Sequence, residues 1–428
     1  MSVVLISALT GTAAQAQGNQ AGWPPALVAA VAQPPSRSLQ IIVEPHPAIE
    51  ASLFLRAGAS DADARLSDTA TRALTMLTGW FGPFPDPALA IVDLPWPVDL
   101  AGAAYPGVVT TRTRWLAPAL ELTAERTLIS GLARRYWQVP ATPAEFNWFA
   151  EGVSLYSGTR AIHELLEGRN YATARAFGGF VLHVVRALNW SPNSWQPQPR
   201  VRHFAEVDEP GRAPWRLASA EADSQAQRAA LALHTLERYI GWPALQPALA
   251  SFRERAHERG VVPALLAEVL SEQRGVELGW FFEDVLQGER GIDYGIDGFT
   301  SEPDGADGRY RTVVMVRRHG DGVFAGTSRP REGSLSSSKS LALLVRFADG
   351  AQVGDFWDGR EDQAEFSYSS RSRATSATID PGLMLLVDTD RANNSRTLES
   401  ARRPEGFRMT LNWLAWLQDL MLSYSALV

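Results

Sequence analysis

The chain contains no cysteine. Disulfides, thiolate metal sites and thiol nucleophiles are therefore excluded, and the fold must be held by packing and polar contacts alone. Runs of Lys and Arg are missing as well. The basic residues occur singly or in short pairs such as Arg134-Arg135 and Arg402-Arg403, and the formal net charge is −7. A surface that tracks phosphates needs the opposite balance, so nucleic acid is not an expected partner. The seven histidines are dispersed, with no two closer than 20 positions, which leaves no metal pair local in sequence. There is also no G-x-S-x-G elbow, Walker loop or dinucleotide fingerprint.

What is present suffices for a large globular protein. A length of 428 residues with 45% hydrophobic content gives room for two or three domains with real cores. Residues 1–38 read as a signal-like, irregular arm. Val3 to Leu9 followed by Ala14-Gln15-Ala16 resembles the apolar core and small-residue cleavage site of an export signal, although no basic residue precedes it. Trp23-Pro24-Pro25 and Gln33-Pro34-Pro35 act as breakers. Leu39–Val43 reads as a strand, Ala64–Trp80 as a helix and Ala88–Leu94 as a second strand. Leu120–Trp137 has helical periodicity, and Thr142-Pro143-Ala144-Glu145 supplies a capping box with proline at the first helical position. Ala222–Leu286 is helical again, ending in the apolar plug Trp280-Phe281-Phe282.

Beyond Gly291 the pattern changes to β-type runs at Tyr310–Val316, Ser340–Phe347 and Leu383–Val387, with Gly326–Lys339 as an insertion. Residues 293–400 are therefore expected to form a small β-sandwich. Residues 401–428 read as an apolar or amphipathic helix, in which Trp413, Trp416, Leu417, Leu420 and Tyr424 would offer a membrane or partner face. Three readings stay open for it: an interfacial or partner-binding helix, a helix docked on the sandwich, and a true span. Two weaker signals have bland readings. His163 and Glu167 at i and i+4 lack a third ligand and read as a solvated helix end. Glu302, Asp304 and Asp307 do not fit an EF-hand and read as an acidic turn.

Four segments in order resemble the aminopeptidase N-like family of gluzincin zinc metallopeptidases over roughly residues 40 to 290. Gly102-Ala103-Ala104-Tyr105-Pro106-Gly107 is similar to the family's substrate-amine loop, with Ala104 where the resemblance implies the amine-binding glutamate. Leu128–Trp137 resembles the H-E-x-x-H helix, but the histidine, glutamate and histidine positions read Ser130, Gly131 and Arg134. Trp148-Phe149-Ala150-Glu151-Gly152 resembles the segment bearing the third zinc ligand, which falls on Glu151. Leu233–Gly241 resembles the helix after the catalytic tyrosine, whose position falls on Ala226.

The resemblance implies an α+β fold: a thermolysin-like, mostly helical peptidase-type domain at residues 39–292, followed by the sandwich and the C-terminal helix. It also implies that metal, base, amine anchor and tyrosine are gone, so the expectation is a non-catalytic protein without a metal or cofactor. Its remnant cleft consists of Ser130, Gly131, Arg134 and Glu151. A carboxylate left there without its ion either pairs with Arg134, or failing that Arg135, or faces water. Gly102, Ala103, Ala104 and Tyr105 could hold an extended peptide by backbone bonds. The expected partners are proteins, including a membrane complex, in the periplasm or cell envelope. The alternative is a metallopeptidase or other hydrolase with a non-standard site in the same cleft.

Overall fold

Alternating and continuous β-branched runs, interleaved with apolar residues at helical spacing, give mixed helix and sheet. The computed structural model describes residues 23–55, 60–94, 102–112, 123–166, 221–274, 278–286, 291–305, 308–324, 341–382, 384–390 and 393–398. Among these, 23–166 and 249–262 cluster as one compact unit, and 221–248 and 263–398 as a second.

The first unit is built on a five-stranded sheet of β1 (Arg37–Ile41), β2 (Ile49–Phe54), β3 (Ala88–Asp93), β4 (Ala104–Tyr105) and β5 (Val108–Thr111), in the order β1-β2-β3-β5-β4. Strands β2, β3 and β5 are parallel, and β1 and β4 are antiparallel edges. All four residues of β5 and the last five of β3 are buried, as befits strands covered on both faces. Because side chains alternate, Ala90, Val92 and Val108 face one side. There they meet Trp23, Leu27 and Val31 of the segment containing α1 (Pro25–Val31). Val109 faces the other side.

Helix α1 corrects the reading of residues 1–38 as irregular throughout. Trp23, Leu27 and Val31 recur every four residues, one face of a helix. Pro24 occupies the N-cap position and Pro25 the first turn, where a missing N–H costs nothing. The proline pair starts an element that it was expected to break.

The helical layer of this unit comprises α2 (Ser60–Phe81), α3 (Thr123–Trp137) and α4 (Asn147–Leu166). The capping box expected at Thr142 does not form. Pro143 is the N-cap of a 3-10 turn, Ala144–Phe146, with no side-chain cap, and Thr142 Oγ1 accepts instead from the Val261 N–H at 3.0 Å. A distant backbone donor wins the hydroxyl that local capping would have used.

In the second unit, α5 (Glu221–Ile240), the first residues of α6 (Trp242–Arg259), α7 (Pro263–Arg274) and a π-helical turn at Phe281–Leu286 accompany two antiparallel sheets. One holds β6 (Tyr294–Asp304), β7 (Arg309–Arg318) and β10 (Gln363–Ser370); the other holds β8 (Leu341–Phe347), β9 (Gln352–Trp357), β11 (Ala374–Ile379) and β12 (Ser395–Thr397). The sheets meet where the Ala374 N–H donates to Ser301 Oγ at 3.0 Å and where Tyr294 packs edge-on to Trp357.

Two expectations in this unit are corrected. Of the run expected at Leu383–Val387, Leu383 lies outside the described residues and Met384–Val387 is not a strand: the carboxylate of Asp380 accepts from the Met384 and Leu385 N–H groups, and Thr235 Oγ1 accepts from that of Leu386. These side chains take the donors a ladder would have needed. Glu302 and Asp304 belong to β6 rather than to an acidic turn, and Asp307 lies outside the described residues. The C-terminal residues Trp413, Trp416, Leu417, Leu420 and Tyr424, the export-like segment, the 326–339 insertion and Glu167 also lie outside them. Among the described residues, no helix is long and apolar enough to cross a membrane.

Two outcomes follow from this packing. Leu27→Ala, at a fully buried position on α1, is expected to lower the unfolding free energy by about 2–4 kcal/mol in urea titration. A loss below about 0.5 kcal/mol would show α1 to be dispensable. Tyr294 is buried, and burial pushes its phenol up to about 12, opposed by the bond from the Phe324 N–H. Well below pH 10 both the folded and the unfolded phenol are protonated. As pH rises from about 10 toward 12, the unfolded chain loses the proton first and stability falls. The urea midpoint of Tyr294→Phe is expected to fall less steeply than wild type between pH 9.5 and 11.5; parallel curves would refute this assignment.

Candidate functional site

Helix α3 places consecutive side chains against different parts of the first unit. Arg135 makes a two-pronged pair with Asp86, Nε to Oδ2 at 2.6 Å and Nη2 to Oδ1 at 2.7 Å. The Tyr136 ring packs among Phe81 and Phe84, its hydroxyl donates to the Gly82 carbonyl, and burial pushes its phenol well above the usual range. Trp137 Nε1 donates to Ser157 Oγ of α4 at 2.9 Å and the ring stacks on Phe252. With its neighbours so held, Arg134 is presented in a fixed direction.

Arg134 forms the ion pair with Glu151, and Arg135 does not. Arg134 Nε donates to Glu151 Oε1 at 2.9 Å and Oε2 at 3.1 Å, and Nη2 donates to Oε1. The third prong, Nη1, donates to the Gly102 carbonyl at 3.0 Å. One guanidinium thus ties α3, α4 and the loop before β4, using the planar fork that a lysine lacks. The pair is partly open to water, with side-chain exposures of 37% and 31%.

The Gly102–Tyr105 segment is hydrogen-bonded on both sides. Toward β5, the Gly102 N–H donates to the Thr110 carbonyl, and Ala103 accepts from the Thr110 N–H while donating to its Oγ1. On α3, Arg134 takes the Gly102 carbonyl, and Gln138 Nε2 donates to that of Ala104 at 3.1 Å. A peptide added at this edge would have to displace both side chains. Gly102 has φ +73, a left-handed conformation that favours glycine.

Close packing surrounds the other two motif positions. A Cβ placed on Gly131 would lie 2.5 Å from Val109 Cγ1 of β5. From the α4 side, a Cβ on Gly158 would lie 3.3 Å from Ala133 Cβ and 3.4 Å from Ser130 Cα. The donor set at Ser130, Gly131, Arg134 and Glu151 does not fit a zinc ion: its only carboxylate is engaged through both oxygens by a cation, and zinc sites need three or four N, O or S ligands. Among the described residues, no three of His, Asp and Glu gather as a metal site. Ala226 is buried in α5 of the second unit.

Sequence reading named Arg134, Glu151, Gly102 and Ala104 but missed Gln138, Val109 and Gly158. Gln138 was findable, one helical turn beyond Arg134 and so on the same face. Val109 and Gly158 were not, since nothing local marks which strand or helix a glycine will meet.

Arg134→Ala is expected to destabilise the protein by about 1–2 kcal/mol, a modest figure because the pair is partly solvated. Arg134→Lys should recover less than half of that. Urea titrations at low salt measure both, and equal stability of the Arg134→Lys variant and the wild type would remove the role given to the fork.

No protein-family model matches the chain, and no curated protein matches it. Among solved structures, Legionella pneumophila aminopeptidase A in complex with aspartic acid is 14% identical, with a TM-score of 0.46 and coverage of 82% of this chain and 37% of that one. The M1 zinc metallopeptidase from Deinococcus radiodurans is 21% identical, with a TM-score of 0.36 and coverage of 58% and 49%. The chain therefore spans about a third to a half of the proteins it is similar to.

Proposed function

We propose that this chain is a non-catalytic, aminopeptidase-like protein that serves as a binding or structural subunit of an envelope or membrane-associated complex. One observation carries the reading. The carboxylate at the position of the family's third metal ligand is held by Arg134, whose guanidinium also takes the Gly102 carbonyl. A cation from the protein itself neutralises Glu151, so no ion is needed to compensate it. The residues at the remaining motif positions, Ser130 and Gly131, carry no imidazole or carboxylate.

Protein partners rather than an extended peptide are favoured, because the carbonyls of Gly102 and Ala104 already have donors. The envelope location rests on the export-like pattern of Val3 to Ala16.

Metal analysis of the purified full chain, paired with an aminopeptidase assay, tests the first half of the reading. Well below one zinc per chain and no chelator-sensitive turnover are expected. Stoichiometric zinc with turnover abolished by a chelator would establish the alternative, a metallopeptidase with a non-standard site. Native mass after gentle detergent extraction of source membranes tests the second half: the chain is expected to travel with other subunits, and a lone monomer would overturn the scaffold role.

A further inference from the structure

The contact between Gly131 on α3 and Val109 on β5 involves neither side chain of the Arg134–Glu151 pair, and it constrains what the site could become. Gly131 lies in the interior of a 15-residue helix, where alanine would ordinarily be the more stable choice. The space does not allow it: the added Cβ would lie 2.5 Å from Val109 Cγ1, with the Gly102 carbonyl oxygen at 3.5 Å and its Cα at 3.6 Å. Val109 cannot easily yield. It is fully buried, its strand is paired on both sides by β3 and β4, and a β-branched side chain has little rotamer freedom. On the opposite flank, Gly158 of α4 brings backbone against Ser130 and Ala133, so α3 has no obvious direction in which to withdraw.

We propose that this contact is a steric lock on position 131. The seating of α3 on β5 bars any side chain there, so that the chemistry lost at this position cannot be restored by changing residue 131 alone. The inference rests on the proposed function only for the meaning given to position 131, the general-base position of the resembled motif. The lock itself is a packing statement about this chain.

A double-mutant cycle on the full chain tests it, with thermal unfolding as the readout. Gly131→Ala is expected to lower Tm by about 3 °C or more, against its helix propensity. Val109→Ala is also expected to lower Tm, by leaving a cavity. The double variant should lie clearly above the sum of the two losses, because each change fills or relieves what the other creates. Gly79→Ala on α2, where an added Cβ would meet nothing within 4 Å, serves as the control and should leave Tm equal or higher. If Gly131→Ala alone fails to fold, soluble expression regained by adding Val109→Ala supports the lock. Failure of the double variant to regain it, additive losses, or an unchanged Tm for Gly131→Ala would each overturn it. Stoichiometric zinc with chelator-sensitive turnover in the wild-type protein would refute the non-catalytic reading and leave the cycle untouched, so the two failures are distinguishable.

Discussion

The guanidinium of Arg134 is the point at which three elements of the first unit converge. Its three prongs reach Glu151 on α4 and the Gly102 carbonyl beside β4 from a single residue on α3. A partly buried carboxylate is stabilised by a nearby cation, and a backbone carbonyl at a sheet edge needs a donor. Arginine meets both needs at once because its donors are fixed in one plane and it stays charged. The arrangement depends in turn on the anchoring of Arg135, Tyr136 and Trp137, which fixes the rotation of α3 about its axis.

The same rotation decides what the sheet can do. β4 is an edge strand, the usual place for an extended segment to add. Arg134 and Gln138, one turn apart, place donors on the carbonyls of Gly102 and Ala104, so the helix guards the edge. Gly131, on the side of α3 that meets β5, lets helix and strand approach more closely than any side chain would permit. Ion pair, guarded edge and glycine contact are three consequences of one docking geometry.

Much of this was legible from residue patterns. The strand at Ala88, the helix ending at Trp137 and the β-runs at Tyr310 and Ser340 follow from periodicity and β-branched composition, and they correspond to β3, α3, β7 and β8. The pairing of Glu151 with an arginine was one of two outcomes left open by the cost of an uncompensated charge, the other being exposure to water. Three of the local readings that failed did so because a distant group competed successfully. Thr142 bonds to Val261 instead of capping. Asp380 and Thr235 take the backbone donors of Met384, Leu385 and Leu386 that a strand would have used. Trp23-Pro24-Pro25 opens a helix because the apolar face of β3 and β5 is there to receive it.

The sequence by itself determined the ingredients: a cysteine-free chain of mixed helix and strand, with Ser130, Gly131 and Arg134 in one helical segment and the carboxylate of Glu151 in the next. These are matters of residue type and spacing, which covalent order contains in full. Tertiary structure alone decided that Arg134 rather than Arg135 pairs with Glu151, that Gln138 covers Ala104, and that Gly131 is pressed on Val109. Those outcomes depend on how far α3 is turned and how near it lies to β5, and a displacement of about one rotamer or one turn would exchange the partners.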